Sequence, residues 1–305
     1  MNIGVVIVTY NRIEKLKKAL ECYETQEKKP KYIVVVDNKS TDDTNEFLKD
    51  WALDNKEIEK YVISLDKNMG GSGGFYEGLK RSLELDCDWI WVADDDAYPK
   101  DDAIYKIDKF LESKSEKELN EISAVCGVVR NADNSIDLDH RRRVNIGAFT
   151  VKEEVVSKTE YDKEFFEIDL LSYVGSVISK RAMKEVGITE KDYFIHFDDS
   201  EHGYRLSRVG KIICLTDVEI IHDVMPAVTN EISWKVYYAE RNRLFFLKKH
   251  FNFRYFWLAY VKAKISSKRK SKSMQEIVNA YLSDAKNNVQ GMHNIYKPGW
   301  KYKEY

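Results

Sequence analysis

The 305-residue chain has only four cysteines, and they are scattered. Cys22, Cys87, Cys126 and Cys214 form no Cys-x-x-Cys pair, which excludes a zinc-ribbon or disulfide-stapled scaffold and fits a reducing compartment. No stretch approaches the roughly 18–20 apolar residues that a membrane-spanning helix needs. The opening MNIGVVIVTYNR has no basic segment ahead of its short apolar run, so a secretory leader is not expected. The usual phosphate-binding signatures are missing as well. No Gly-Lys-Ser/Thr completes a P-loop, and DKNMGGSGGFYEG misses the G-x-G-x-x-G pattern, because counting from Gly71 puts Tyr76 at the last glycine position. The first apolar run is followed by TYNRIEK, which lacks the glycine-rich basic loop of a nucleotidyltransferase. Five further histidines, His140, His196, His202, His250 and His293, stand at no ligand spacing from His222.

What is present is ample apolar content, 43% with 12% aromatics, enough for a large core. The net charge of −2 hides a division: from Lys235 to Tyr305 there are 16 Lys and Arg against 4 Asp and Glu, which leaves 33 basic and 47 acidic residues in the rest. Such asymmetry points to a basic tail that meets something anionic.

The first hundred residues alternate strand and helix signals. IGVVIVTY, KYIVVVDN, KYVISL and DWIWVADDD read as buried strands, and RIEKLKKALECYE has helical spacing at Ile13, Leu16, Leu20 and Tyr23. STDDTNEFLKDWA opens with capping residues, Ser40 or Thr41, ahead of a second helix. The glycine stretch reads as a loop followed by a helix over Phe75 to Leu85. Strands separated by helices in this way predict βαβ units and a parallel sheet covered on both faces.

Asp94, Asp95 and Asp96 then fall just past the carboxyl end of a central strand, where open α/β sheets bind ligands. Three adjacent carboxylates repel each other in a core but suit a hard divalent cation such as Mg²⁺ or Mn²⁺. A solvated acidic loop capping the next helix is the competing reading. Asp37, ending the second strand, can accept from a ribose or a base. Asn68, Gly70 and Gly71 belong to a run with four glycines in five residues, which suggests a ligand or chain passing close to the backbone. Asp198, Asp199 and Glu201 open an amphipathic helix; a carboxylate beside another there can serve as a general base, or all three can be ordinary dipole partners. Arg205 or Arg208 lies at the right spacing to pair with them. His222 ends a short apolar strand. HRRRVN, from His140 to Asn145, is either a solvated basic loop or a contact for an anionic acceptor or diphosphate.

The ordered set VVIVTYNR, VVVDNKSTDDT, NMGGSGGF, VADDDAYP, FDDSEHGYRL, IIHD and YYAERNRLFFLKKHF resembles the family-2 inverting glycosyltransferases of the GT-A fold over residues 1 to about 250. With a full Asp triplet, it is most similar to the branch of galactofuranosyl- and rhamnosyltransferases that build cell-surface glycans. The resemblance implies a Rossmann-like, mostly parallel sheet with a helical C-terminal extension. It places a catalytic domain at 1–232, with a nucleotide-sugar half to about residue 97, and a basic aromatic helical region at 233–305. It implies a UDP- or dTDP-linked sugar donor, a glycan or lipid-linked acceptor, and Mn²⁺ or Mg²⁺. By that match Thr9, Asn11 and Asp37 border the nucleoside, with Asn68, Gly70 and Gly71 on the donor side. Asp96 binds the metal with Asp94, Asp94 or Asp95 contacts the donor ribose or sugar, and His222 completes the metal site. Asp199 is the base, with Asp198 one register away as the alternative. A non-catalytic nucleotide-sugar or glycan-binding module is the rival of another class.

Between Trp234 and Tyr260, 11 of 27 residues are aromatic, and KAKISSKRKSKS follows. That interleaving reads better as an interfacial helix on anionic lipid than as a nucleic-acid surface, with aromatics packed under the catalytic domain and solvated lysines as the competing reading. The expected location is therefore cytoplasmic, peripheral on the inner face of the cell membrane. A homo-oligomer is left open.

Overall fold

A computed structural model describes residues 1–53, 57–224 and 232–302. The chain begins with β1 (Ile3–Thr9), α1 (Ile13–Glu24), β2 (Tyr32–Asp37), α2 (Thr44–Trp51), β3 (Glu59–Ser64), α3 (Gly70–Glu84) and β4 (Trp89–Asp94). It continues through β5 (Ala97–Pro99), α4 (Ala103–Glu112), α5 (Glu116–Asn120), β6 (Ile122–Arg130), the hairpin β7 (Arg142–Ile146) and β8 (Val151–Val155), β9 (Phe165–Ile168), β10 (Ser176–Ser179), α6 (Lys180–Val186), α7 (Asp198–Ser207) and β11 (Lys211–His222). Three helices close it: α8 (Lys235–His250), α9 (Phe253–Ser267) and α10 (Lys272–Asn287).

One sheet runs β3-β2-β1-β4-β10-β6-β11-β5, with β9 also on β11. Its first four strands are parallel, as the βαβ spacing predicts. Beyond β4 the sheet is mixed, because β10 is antiparallel to both β4 and β6 while β6 and β11 are parallel. Successive β1 residues feed opposite layers. Val5 and Ile7 pack with Leu16, Leu20 and Trp91, whereas Val6 and Val8 pack with Phe75 and Leu79 of α3. Burial on both faces is why these strands read as continuous apolar runs rather than as alternation.

Two local expectations change. Helix α3 begins at Gly70, not Phe75, so the glycines are helix rather than loop. They are there for close packing. A Cβ at Gly74 would sit 2.5 Å from Val8 Cγ1, and one at Gly78 would sit 2.4 Å from Val6 Cγ1. Gly70, at φ +72°, lies so close to Phe194 that a Cβ would fall 1.9 Å from its carbonyl oxygen. The chain that passes close to this backbone is the protein's own. Nor do Ser40 and Thr41 cap α2, whose N-cap is Asp43 with no side-chain capping bond. Instead they clasp the loop after β1: Asn11 N–H donates to Ser40 Oγ (2.9 Å), and Thr41 N–H donates to Asn11 Oδ1 (2.6 Å).

The basic tail does not lie apart from the rest. Tyr237, Tyr238, Phe245 and Phe256 are buried in one cluster with Tyr193 and Phe194, and Phe246 and Tyr255 are buried in another. Most of the aromatics therefore face inward, and an apolar stripe on α9 stays exposed: Phe253, Trp257, Val261 and Ile265. No helix among the described residues is long and apolar enough to cross a membrane.

Candidate active site

Because β1, β2 and β4 are parallel, their carboxyl ends come together. Thr9 pairs with Asp37 across β1 and β2, and Val8 with Asp94 across β1 and β4. A cavity of about 250 Å³ opens there, lined by Thr9, Asn68, Gly70, Gly71, Asp94 and Asp95, and bordered by Trp234 and Lys235 from the start of α8. Gly71 leaves room on the cavity side, with nothing within 4 Å of where a Cβ would sit. Asp37 and Asn11 are not among the cavity's lining residues; both hold the loop after β2. Asp37 Oδ1 accepts from Ser40 N–H at 2.9 Å, and Asn11 spends its amide oxygen on Thr41. Asn38 joins the same scaffold, donating to Gly70 O and accepting from Met69 N–H.

Asp95 and Asp96 are buried, at 3% and 2% exposed, and Asp94 is half-buried, which argues against a solvated acidic loop. Burial together with the charges of Asp96 and Asp95 pushes Asp94 up to about 7. Burial also raises Asp95, to about 6, against the pull of Arg12 and of Thr9, whose hydroxyl donates to it at 2.7 Å. Asp96 behaves differently. Burial opposes its charge, yet a hydrogen bond with His222 and the charge of Arg12 hold it below the usual carboxylate range. Its Oδ2 meets Arg12 Nη1 at 2.7 Å and Lys15 Nζ at 3.6 Å, and its Oδ1 lies 3.5 Å from His222 Nε2.

Asp96 Oδ1 and His222 Nε2, 3.5 Å apart, are an oxygen and a nitrogen of the kind a divalent cation takes as neighbouring ligands. Asp94 is near enough for its charge to act on His222, but among the described residues it does not join these two in a compact three-ligand group. His222 also carries a buried Nδ1 with no hydrogen-bond partner. On that side lie Asp137 and His140; one ligand atom from each of these and from His222 falls within 4.8 Å of the others. The His140 and His222 rings meet edge to face at 5.1 Å. Sequence spacing gave no sign of that proximity, because the two residues come from a loop and a strand that meet only in the folded sheet.

The second acidic cluster separates into three roles. Asp198 is buried, and desolvation plus the neighbouring charge of Asp199 raise it well above the ordinary range, with Asp94 adding to the effect. The cleft thus brings the α7 acids within electrostatic reach of the triplet. Asp199 is more accessible and is oriented by Ser200, whose N–H and hydroxyl both donate to Oδ1, at 2.6 and 3.1 Å. Ser200 in turn accepts from Arg142 at 2.8 Å. Glu201 is fully buried and structural: Arg205, Lys249 and His250 all bind it.

The run before α7 is strained. Phe194, His196 and Phe197 all have left-handed φ, between 64° and 70°. Asn242 of α8 holds it in place, donating to the carbonyls of Tyr193, Ile195 and His196 at 2.8–3.0 Å. Arg241, fully buried, also donates to Tyr193 O. Arg241 and Asn242 of α8 thus brace the loop that leads into α7. Sequence reading missed Arg12, Lys15, Asp137, His140, Arg241 and Asn242 as site residues. It also misread HRRRVN. Arg141 is fully buried and bonds the carbonyls of Gly127 and Val174, so it is neither solvated nor free for an acceptor, whereas Arg143 is exposed as a solvated residue would be and pairs with Glu160.

The mixed α/β fold is shared with solved structures. Residues 1–349 of S. aureus TarS match with TM-score 0.59 at 15% identity, over 93% of this chain and 81% of that one. The mannosyltransferase PcManGT from Pyrobaculum calidifontis, solved with GDP-Man and Mn²⁺, matches with TM-score 0.55 at 16% identity, over 94% and 75%. The fold is that of a GT-A glycosyltransferase. Residues 4–187 match Glycosyl transferase family 2, and the chain belongs to that family. Among curated relatives, galactofuranosyltransferase GlfT1 of Mycolicibacterium smegmatis is 28% identical over 210 residues, 67% of this chain and 65% of that protein. The dTDP-rhamnosyl transferase RfbF of Shigella flexneri is 26% identical over 225 residues, 73% and 69%. The match thus spans about 65% of the length of the first of these relatives.

Proposed function

We propose that the protein is a metal-dependent, inverting hexosyltransferase that moves galactofuranose from UDP-galactofuranose to a hydroxyl of a cell-surface glycan or lipid-linked acceptor. The carrying observation is the convergence of Asp96 and His222, 3.5 Å apart, beside a cleft flanked by the α7 carboxylates. Rhamnose from dTDP-rhamnose is the second reading, favoured by the likeness to the rhamnosyl transferase.

In this reading Thr9, Asn11 and Asp37 frame the nucleoside pocket, and Asn68, Gly70 and Gly71 border the donor. Asp96 and His222, with Asp94, would hold Mn²⁺ or Mg²⁺, which when bound supplies Lewis-acid neutralisation of the departing diphosphate. Asp95, pinned by Thr9 and Arg12, contacts the donor ribose or sugar. Asp199 accepts the proton of the acceptor hydroxyl as that oxygen attacks C1 from the face opposite the diphosphate. A single displacement inverts C1 and needs no enzyme nucleophile. Asp198 is buried, and burial and the charge of Asp199 push its carboxyl up, so the more open Asp199 is the better placed base. Residues 1–232 would carry the chemistry, and 233–305 would seat the enzyme peripherally on the inner face of the cell membrane. The apolar stripe of α9 supports that seating. Incubating the protein with a panel of nucleotide sugars and Mn²⁺, and scoring donor hydrolysis and thermal protection, tests the reading; hydrolysis of neither UDP-galactofuranose nor dTDP-rhamnose would overturn it.

A further inference from the structure

A second cavity, about 540 Å³, lies between the β7–β8 hairpin and helices α8, α9 and α10. It has the size of a ligand site. Its floor is apolar, from Val151, Leu247, Leu258 and Val278. Cations stand at its edge: Lys152, Lys262 and Lys270, together with Arg243 and one acid, Glu240. Arg243 is committed to Glu153 and Val151 O, and Lys152 lies 3.8 Å from Glu154. Lys262 and Lys270 have no side-chain hydrogen bond or ion pair among the described residues. The next cations along the chain, Lys268 and Arg269, are likewise without an acid partner there.

An apolar trough with unpaired ammonium groups at its rim is complementary to an amphiphile carrying one hydrocarbon chain and an anionic head. A bare phosphate would leave the floor unfilled, and a neutral hydrocarbon would leave the lysines unused. The two cavities share one stretch of chain: Val236 lines the trough, and Lys235 and Trp234, one and two residues earlier, line the cleft with Asp94 and Asp95.

We propose that this trough binds the hydrocarbon chain of a phosphorylated single-chain amphiphile, an isoprenoid or acyl phosphate, that carries the acceptor sugar, with Lys262 and Lys270 holding the phosphate. The carrier role rests on the glycosyltransferase reading above; the binding itself does not.

The test uses the full chain and farnesyl diphosphate as probe, measured by calorimetry without donor or acceptor. Saturable binding is expected, with inorganic diphosphate at least about tenfold weaker because it forgoes apolar burial. The charge reversal Lys262→Glu/Lys270→Glu should weaken the probe by about tenfold to a hundredfold. Leu258→Asp, at a half-exposed position that tolerates polarity, should do the same while both variants melt like wild type. Four results would overturn the proposal: equal affinity for inorganic diphosphate; farnesyl diphosphate binding that ignores both variants; no binding of the probe by a protein that nonetheless binds anionic vesicles, which makes the surface a bilayer contact; or a concentration-dependent dimer that Leu258→Asp dissolves while the probe fails to bind. Donor hydrolysis by the wild-type protein is scored separately, so loss of the enzymatic reading leaves the binding result intact.

Discussion

Asn242→Asp keeps the side-chain shape and exchanges a donor for an acceptor. In the native protein the Asn242 amide nitrogen lies 3.0, 3.0 and 2.8 Å from the carbonyls of Tyr193, Ile195 and His196. Each of the three left-handed non-glycine residues in that loop costs about 1–3 kcal/mol, roughly 3–9 kcal/mol for the set. Tyr193 O retains Arg241 at 2.9 Å. The Ile195 and His196 carbonyls lose their donor, at about 1–3 kcal/mol each. A loss of about 2–6 kcal/mol is comparable to the stored strain, so the loop is expected to relax and carry the start of α7, with Asp199, away from its position. Melting should fall by about 4 °C or more. Turnover should fall about 10- to 100-fold, since displacements near 1 Å cost on that order. Differential scanning calorimetry and transfer assays run well below the variant's melting point check both. If Asn242→Asp melts within about 1 °C of wild type and turns over at the wild-type rate, Asn242 does not hold the loop.

Replacing Glu201 by Gln leaves Arg205, Lys249 and His250 around an uncharged group and should cost about 3 kcal/mol, at the low end for a broken buried pair because Arg205 keeps its bonds to Val186 O and Ile188 O. Burial opposes the Glu201 charge, but His250, Arg205 and Lys249 hold its pKa well below the usual range. Its contribution is therefore present above its unfolded value of 4.5 and lost as pH falls below it, so Glu201→Gln should flatten the acid limb of a stability–pH profile. Asp199→Asn should lower kcat about 10²- to 10⁴-fold with an unchanged melting curve, whereas Asp198→Asn should cost less activity. Gly74→Ala should destabilise by about 1–3 kcal/mol, because its methyl group meets Val8, while Gly71→Ala, with open space, should raise helix stability by up to about 1 kcal/mol and weaken donor binding. Mn²⁺ should raise the melting temperature of wild type and not of His222→Ala, measured in the absence of donor.

Much of the first half was legible from sequence for a physical reason. Strands buried on both faces must be apolar throughout, so β1, β2 and β4 announce themselves, and the residues just past their ends, Thr9, Asp37 and Asp94 to Asp96, follow. The glycine run was legible as a close approach but not as a helix, since what approaches is Phe194, distant in sequence and near only after α3 docks on β1. The Arg run was misread because nothing in HRRRVN reveals that Arg141 would be swallowed whole, its charge met by backbone carbonyls of Gly127 and Val174. The tail's composition looked like a surface helix, yet most of its aromatics pack inward around Arg241 and Asn242.

Sequence alone determined the alternation of strands and helices from β1 to β4, the acid triplet at a strand end, the acids opening α7 and the basic character of the last seventy residues. Those are local properties, set by side-chain polarity along a few turns or one strand. Tertiary structure decided which acids are buried and raised, that His222 meets Asp96 with His140 and Asp137 behind it, and that α8 clamps the loop before Asp199. These depend on contacts between segments tens to hundreds of residues apart, whose distances exist only once the sheet has closed and the helices have packed.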